Sequence, residues 1–396
     1  MITKIYPRII LGFIPIIIGI VLVQVVKKHV PLMEKVTGID GKKIYYKYKY
    51  RAKVIEVQKD PSDPSHQDQI ITVNITNGTF KGRSVSFKNT ITGNAYRDKY
   101  MKQGDLIFCE VTVEKDKISY ATAMDFVRID YILYSVGIFF FFIILICGKR
   151  SLQIIFSLLL SCCLLYLLVA LIKKGFDPIG TTIIISLLVT LVTFKLIAKK
   201  NIKVFSSVFG TVLSLSIVSV VTYLIVFNMK YTGVDIEIGR IRIGLTLWEV
   251  YGSILNYRKI IVAGIIFGAL GAVMDISMVV ASAVNELKIK YEELSFPMAI
   301  KSGLAIGRDV IGTTTNTLLF AYAAHDITLL VLIFLQTKAL NDKLAFLKFF
   351  NFEEISIESV RIIMGSIGLL LAVPLTVLIV SYAIRFHKGT LSGKGK

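Results

Sequence analysis

Two carboxylates inside a long apolar stretch are the residues of this sequence whose position most needs a chemical reason. Asp275 and Glu286 belong to the segment Ile261 to Leu287, which is long enough to cross a lipid bilayer. Desolvating an ionised carboxylate inside a membrane is costly, so such a group normally faces a cavity, a partner or a bound cation. The segment therefore predicts a functional site within a membrane.

One face of this predicted helix is small and polar. At about 100° per residue, Gly271, Asp275, Ser282 and Glu286 lie along one stripe. Glycines such as Gly268 and Gly271 allow neighbouring helix backbones to approach closely. The stripe thus predicts a surface that meets another helix or an ion path.

A second spanning-length segment, residues 298–324, is also unusually polar. It contains a charged pair and a run of hydroxyl and amide side chains: Arg308, Asp309, Thr313, Asn316 and Thr317. If the two segments run antiparallel, Asp275 lies at about the depth of Thr313 and Asn316. Glu286 then lies near Arg308 and Asp309, which we interpret as a gate or anchoring pair at the cytoplasmic mouth. An equal alternative is a positive-inside anchor whose side chain snorkels to the interface.

Three roles for Asp275 are open at this point. It could pick up and release a proton, as carboxylates of membrane pumps do. Alternatively, its charge could hold Na⁺ together with threonine and asparagine oxygens. The third role is purely structural, with the carboxyl group hydrogen-bonded to hydroxyl and amide groups of a neighbouring helix. The threonines themselves have a structural alternative too, because they can hydrogen-bond to their own helix.

The composition indicates a multi-pass membrane protein. The chain has 396 residues, 54% hydrophobic and 18% charged, with a mean hydropathy of +0.68. Its net charge of +19 does not indicate a nucleic-acid partner, because lysines and arginines lie largely at the ends of apolar runs. No metal-ligand spacing, cofactor motif or catalytic motif occurs, so the sequence predicts neither an enzyme nor a bound cofactor or metal ion.

The order of segments predicts an α-helical multi-pass protein with a small all-β domain after its first helix. Residues 1–26 are interpreted as an uncleaved signal anchor and residues 27–128 as an extracytoplasmic β domain, either OB-like or a small barrel. Residues 129–396 are interpreted as a polytopic membrane domain. Asn77-Gly78, between two strand-like runs, predicts a two-residue hairpin turn.

About eight transmembrane helices follow from the apolar runs, which include 131–147, 151–172, 179–198 and 204–228. Residues 325–338 are too short to count as a further span. The distribution of positive charge then places both termini in the cytoplasm, and we expect a bacterial plasma-membrane location. Close helix packing is expected at the following small or helix-bending residues: Gly268, Gly271, Gly312, Gly365, Gly368 and Pro374.

Three sequence blocks resemble a known family. GALGAVMDISMVVASAVNEL (268–287), SGLAIGRDVIGTTTNTLLFAY (302–322) and MGSIGLLLAVPLT (364–376) look like the signature blocks of the YibE/F-like family of bacterial multi-pass membrane proteins. The resemblance implies the architecture of an outer β domain and a polytopic membrane domain. It does not by itself imply a biochemical activity.

A weaker resemblance bears on mechanism. Gly271 and Asp275, with Glu286 further along, are similar to the G-x-x-x-D…E helix of resistance-nodulation-division permeases and SecD/SecF export proteins. That resemblance implies a proton-coupling role for Asp275 only. The outer domain here is far smaller than theirs, so a comparable transport role would require further copies of this chain or a related membrane subunit.

Together these observations predict a proton- or cation-coupled transporter or export component that uses Asp275. The alternative is a non-transporting membrane scaffold whose outer β domain binds a partner or an envelope component. The expected partners are the lipid bilayer, H⁺ or Na⁺, and a homo-oligomer or related membrane subunit, but not nucleic acid.

Overall fold

The structure, a computed structural model, describes most of the chain in two units. The described residues are 32–37, 44–62, 67–93, 98–114, 117–197, 202–231, 256–291, 294–325, 350–392 and five positions between 327 and 335. The predicted signal anchor, residues 1–26, lies outside them, as does most of 325–338. The chain divides into the units Met1–Leu152 and Gln153–Lys396, and each is considered by itself. The expected domain boundary after residue 128 falls inside the first unit.

The described part of the first unit contains a six-stranded antiparallel sheet and one α-helix. The strands are β1 (Leu32–Thr37), β2 (Ile44–Lys59), β3 (Gln69–Ile75), β4 (Ser84–Asn89), β5 (Leu106–Glu114) and β6 (Lys117–Phe126). Their order is β4-β3-β2-β5-β6, with β1 paired to the first part of β2. The helix is α1 (Ile129–Cys147).

The long strand β2 gives the sheet its curvature. It pairs with β5 from Tyr46 to Lys53 and with β3 from Ala52 to Lys59, and its register shifts between Val54 and Glu56. A bulge of this kind bends a strand and increases its twist. The sheet thereby curls into a half-barrel in which β4 lies near β6, which confirms the predicted all-β domain.

The β3–β4 connection differs from the predicted two-residue turn. The loop extends over residues 76–83, and the Asn77 side chain accepts a hydrogen bond from the Arg51 backbone N–H at 2.8 Å instead of leading directly into a strand. Gly78 has φ of 75°, and a Cβ placed there would lie 2.3 Å from Tyr50 Cε1. The turn is therefore shaped by contacts with β2 and not by local sequence alone.

Six helices form the described part of the second unit. They are α2 (Ser151–Lys173), α3 (Pro178–Ile197), α4 (Ile202–Asn228), α5 (Tyr257–Lys290), α6 (Phe296–His325) and α7 (Glu353–Ser392). A 3₁₀ turn, Gly148–Arg150, links α1 to α2 in the chain.

Five helical stretches within the described residues are long and apolar enough to cross a membrane, so the predicted count of about eight spans is not confirmed. They are Ile129–Lys173, Pro178–Leu196, Ile202–Asn228, Tyr257–Lys290 and Ile355–Arg385. The first has 45 residues and contains two runs that the sequence predicts as separate spans, 131–147 and 151–172. The helix α6 is not among the five, because its charged, hydroxyl and amide residues lower its hydropathy.

Packing nevertheless places one side of α6 against α5 and α7. A Cβ placed on Gly307 would lie 2.2 Å from Val373 of α7, and one on Gly303 would lie 2.8 Å from Val284 of α5. Since Gly303 also meets Val377, α6 runs antiparallel to α7. The helix α5 contacts α3, α4, α6 and α7, so it lies at the centre of this unit.

Candidate functional site

Asp275 lies near the middle of α5, at the level of the polar part of α6. Two contacts establish the antiparallel register of these helices. Gly303 packs against Val284 near one end of the pair, and Gly268 packs against the Tyr322 hydroxyl near the other. Counting along both helices from these contacts places Asp275 at the level of residues 312–315.

The predicted polar stripe lies on an open face of α5. Gly264, Gly271, Asp275 and Glu286 are exposed at the surface of the bundle, and Ser282 is half-buried. A Cβ placed on Gly264 or Gly271 would meet no atom within 4 Å. The opposite side of the helix forms the bundle core, where Val273, Ile276 and Ser277 are fully or almost fully buried.

Asp275 has no fixed polar partner in the described part of the chain. No hydrogen bond or ion pair joins its carboxylate to any residue there. A carboxylate that serves helix packing is expected to be hydrogen-bonded to its neighbour, since an unpaired ion is costly in hydrocarbon. The geometry therefore leaves the Asp275 carboxylate available to a proton, a cation or another polar group.

The polar residues of α6 also face away from its packing side. Gly312, Thr313, Asn316 and Thr317 are exposed, whereas Gly303 and Gly307 face the bundle. The Thr313 hydroxyl donates to the Val310 carbonyl at 3.0 Å, and the Thr317 hydroxyl donates to the Thr313 carbonyl at 3.0 Å. Each hydroxyl oxygen keeps lone pairs with which it can accept a hydrogen bond or bind a cation.

The three charged residues predicted at the cytoplasmic mouth are exposed. Among the residues that the structure describes, no ion pair joins Glu286 to Arg308, and none joins Arg308 to Asp309. The Gly303–Val284 contact places Glu286 closer to the level of Lys301 than to that of Arg308.

The predicted packing residues differ in their surroundings. A Cβ on Gly268, Gly365 or Gly368 would lie 2.7, 3.2 or 2.9 Å from a neighbouring side chain, so these three lie at helix contacts. Gly271 and Gly312, by contrast, have nothing within 4 Å of such a Cβ. Pro374 is half-buried within α7, where its missing N–H interrupts the helical hydrogen bonds.

The tightest helix contacts involve glycines that the sequence analysis did not single out. Gly303 and Gly307 form a G-x-x-x-G pair on α6, and this spacing was the signal that could have found them. On α4, a Cβ on Gly210 would lie 2.0 Å from Thr376 Oγ1. Gly210 lies between Ser206 and Ser214 at the same four-residue spacing of small residues.

A polar layer near the start of α5 and α7 was also missed. The hydroxyl groups of Tyr231 and Ser356 are hydrogen-bonded at 2.5 Å, and Arg258 Nε donates to the Tyr231 carbonyl at 2.6 Å. In the same region, Arg361 pairs with Glu358, and its guanidinium lies 5.6 Å from the centre of the Tyr322 ring. No pattern within one segment reveals this layer, because its members come from four separate parts of the chain.

An ion pair connects α3 to α5 at this layer. Lys259 Nζ lies 2.6 Å from Asp177 Oδ1, and the Gly180 N–H donates to the other carboxylate oxygen at 2.9 Å. The Lys259 ammonium, followed by the Gly180 N–H, lowers the pKa of Asp177. Burial raises the pKa of Tyr231, and its hydrogen bond with Ser356 partly offsets that effect. These groups stabilise the ends of the helices. They are distant from Asp275 both in the sequence and along the axis of α5.

Comparison with known proteins assigns the chain to a family. The model of the YibE/F-like protein family matches residues 135–386, and that of the YibE/F family N-terminal domain matches residues 44–126. No curated protein and no solved structure matches the chain. The similarity to resistance-nodulation-division permeases and SecD/SecF proteins is thus not confirmed. Because the first match alone covers more than half of its length, this integral membrane protein belongs to the YibE/F-like family.

Proposed function

We propose that this protein is a proton- or cation-coupled transporter or export component of the bacterial plasma membrane, with Asp275 as its coupling carboxylate. The observation that carries the proposal is the absence of a hydrogen-bond or ion-pair partner for Asp275 among the described residues. A mid-span carboxylate without a fixed partner is suited to reversible binding, whereas a packing carboxylate would be paired.

The neighbouring segment of α6 supports a path for the coupled ion. Asp275 lies at the level of residues 312–315, and Thr313 and Thr317 retain acceptor oxygens after donating to their own helix. In this proposal Asn316 adds a further oxygen, and Glu286, Arg308 and Asp309 line the entry from the cytoplasm. No bond of a substrate is broken, so the protein acts as a carrier and not as an enzyme.

Carbodiimide labelling tests this role without knowledge of the transported substrate. Dicyclohexylcarbodiimide modifies protonated carboxyl groups in apolar surroundings, so we expect it to label Asp275 in the reconstituted protein. If Na⁺ protects Asp275 from labelling, the carboxylate binds a cation. If only alkaline pH prevents labelling, the carboxylate carries a proton. Labelling confined to other carboxylates would contradict the proposal.

Flux measurements in proteoliposomes provide the second test. Asp275→Asn should assemble normally in the membrane but lose proton or ²²Na⁺ flux, because an amide neither carries a proton nor neutralises a cation. Glu286→Gln is the matched control on the same face of α5, and it should retain flux at a reduced rate. Unaltered flux in Asp275→Asn would exclude Asp275 as the coupling group.

A scaffold function has one specific observation in its favour. The open face at Gly264 and Gly271 has room for a helix of a second copy or of a related subunit. In that case Asp275→Asn would weaken subunit association, while neither the native protein nor the variant would show ion flux. Cross-linking in intact membranes together with the flux assay separates the two functions.

A further inference from the structure

One residue of β2 connects the β3–β4 loop, residues 76–83, to the first turn of α1. The Thr76 N–H donates to the Arg51 carbonyl at 2.8 Å, and the Arg51 N–H donates to Asn77 Oδ1 at 2.8 Å. The Arg51 guanidinium in turn donates to the Asp130 carboxylate at 2.9 and 3.1 Å. The loop and the start of α1 are therefore separated by little more than the length of one arginine side chain.

The start of α1 marks the point at which the chain enters the membrane. The sequence has no charged residue between Asp130 and Lys149, and α1 belongs to a stretch that is long and apolar enough to span a bilayer. Tyr131 and Tyr134 are exposed in its first two turns, and tyrosine is enriched at membrane–water interfaces. The polar layer on each side of a bilayer is roughly 5–8 Å thick. The β3–β4 loop is therefore within reach of the lipid headgroups.

The β3–β4 loop is basic and exposed. It contains Lys81 and Arg83 and no acidic residue. Both side chains belong to exposed residues, and no ion pair joins either of them to another residue in the described part of the chain. Two acidic residues near the start of α1 already have cationic partners: Asp125 pairs with Lys99 and Arg128, and Asp130 pairs with Arg51. The loop thus has two positive charges that the domain itself does not neutralise.

The loop holds these two charges on a fixed backbone. The N–H groups of residues 81–83 donate to carbonyl groups of the loop and of β3 at 2.8–3.2 Å. The Phe80 ring packs edge-on against Tyr50, with ring centres 5.8 Å apart, and the Arg83 guanidinium lies 5.0 Å from the centre of the Phe80 ring. Because these N–H groups are already engaged and Phe80 is half-buried, a ligand of this loop would be bound by the two charged side chains.

We propose that Lys81 and Arg83 form a binding site for the phosphate groups of anionic lipids. Ammonium and guanidinium groups bind phosphate through charge-assisted hydrogen bonds, and basic residues beside a span are attracted to an anionic membrane surface. This contact holds the β domain to the bilayer at a second point, in addition to its connection through α1. It involves the first unit alone, so it stands whether or not Asp275 couples transport to an ion.

Acetylation of Lys81 in the full-length protein tests the site. The protein is reconstituted into nanodiscs of phosphatidylcholine, with or without phosphatidylglycerol, and mass spectrometry follows the reaction of its lysines with a neutral succinimidyl ester. We expect Lys81 to react several-fold more slowly in the anionic nanodiscs. A high NaCl concentration should remove this difference, because salt screens contacts between exposed charges.

Lys59 is the control for a general effect of the anionic surface. It is exposed and pairs with Gln69, so it lies at the opposite end of β3 from the β3–β4 loop. Its rate of acetylation should depend little on the lipid. Equal rates for Lys81 in the two kinds of nanodisc would overturn the proposal, and so would an equal slowing of Lys59.

Substitutions of Arg83 provide a second test that is also read at Lys81. Arg83→Gln should weaken the protection of Lys81 by phosphatidylglycerol roughly fivefold, the factor expected for one basic residue near an anionic surface. Arg83→Lys keeps the charge and should keep the protection, whereas a role confined to packing on Phe80 would not distinguish the two variants. Lys59→Gln is the matched control with the same loss of charge, and it should leave the protection unchanged.

Inorganic phosphate distinguishes a lipid headgroup from a soluble anion. It should not protect Lys81 in nanodiscs of phosphatidylcholine alone, because a free ion is not held at the membrane surface beside the loop. Protection by inorganic phosphate as strong as that by phosphatidylglycerol would overturn the lipid site, as would unchanged protection in Arg83→Gln.

Discussion

Gly307 and Gly312 belong to the same helix, yet their surroundings are opposite. A Cβ on Gly307 would lie 2.2 Å from Val373 Cγ1, whereas a Cβ on Gly312 would meet nothing within 4 Å. Both residues are in the interior of α6, so alanine would improve helix propensity equally at each, by about 1 kcal/mol. Any difference between the two alanine variants therefore reports packing.

We expect Gly307→Ala to destabilise the protein by about 1–3 kcal/mol, the usual cost of overpacking. Gly312→Ala should be neutral or slightly stabilising. Val373→Ala in the background of Gly307→Ala should restore part of the stability, because it removes the colliding methyl groups. The protein is heated in detergent, and fluorescence-detected size-exclusion chromatography then measures the fraction that remains monodisperse. Equal losses for the two glycines would contradict the packing of α6 against α7.

The sequence could predict that Asp275 is unusual but not which glycines lie at contacts. A carboxylate in an apolar run is visible from residue types alone. Gly307 and Gly312 both lie in the same small and polar run, and only the position of α7 decides which of them is covered. Tertiary packing, not local pattern, distinguishes them.

At the scale of elements, a buried ion pair joins the β sheet to α1. Arg51 of β2 and Asp130 in the first turn of α1 form two hydrogen bonds, at 2.9 and 3.1 Å, and their side chains are 4% and 8% exposed. The Arg51 guanidinium also lies 5.7 Å from the centre of the Phe108 ring. Removing one member of such a pair leaves the other charge buried and uncompensated.

Arg51→Met should therefore destabilise the first unit by about 3–5 kcal/mol. The double variant Arg51→Met, Asp130→Leu should recover much of that loss, because no charge remains buried. Lys99→Met is the control, since the side chains of the Lys99–Asp125 pair are 27% and 42% exposed and such a pair contributes about 0–1 kcal/mol. Hydrogen exchange of residues 129–135, read by mass spectrometry, measures the effect. If residues 129–135 are equally protected from hydrogen exchange in Arg51→Met and Lys99→Met, the buried pair has no stabilising role.

The boundary between α1 and α2 was predictable from charge. Lys149 and Arg150 interrupt the apolar sequence, so hydropathy separates 131–147 from 151–172. In the structure α1 ends at Cys147 and α2 begins at Ser151, and Gly148 between them has φ of 56° and ψ of −126°, outside the helical region. Hydropathy does not reveal the 3₁₀ turn that links the two helices, in which the Ser151 hydroxyl donates to the Gly148 carbonyl at 2.6 Å.

At the scale of the whole molecule, the register of α5 and α6 determines which polar residues can act together. Gly303 and Val284 are close enough that cysteines at both positions have a suitable Cβ separation for a disulfide. In a background without the four native cysteines, Val284→Cys with Gly303→Cys should cross-link on oxidation. Asp275→Cys with Gly303→Cys should not cross-link. Gly303 lies at the level of Val284, and Asp275 is nine residues away from Val284 along α5. The readout is gel mobility after proteolysis between the two helices. Cross-linking of the second pair alone would disprove the register.

The overall architecture was predictable because hydropathy separates the β domain from the membrane helices so clearly. The depth relation between Asp275 and α6 was expected from an assumed antiparallel pairing, and the observed contacts give it a definite register. The polar layer of Tyr231, Arg258, Ser356 and Arg361 was not predictable, since it forms only when distant helix ends come together.

The Arg51–Asp130 pair also has a consequence for the order of events during synthesis. Asp130 follows the last strand of the sheet, so the ribosome has made all six strands before the counter-charge for Arg51 emerges. Until Asp130 is in place the Arg51 guanidinium lacks its counter-charge, and burying it in that state is strongly unfavourable. We therefore expect the part of the sheet around Arg51 to reach its final packing only once the first turn of α1 is in place.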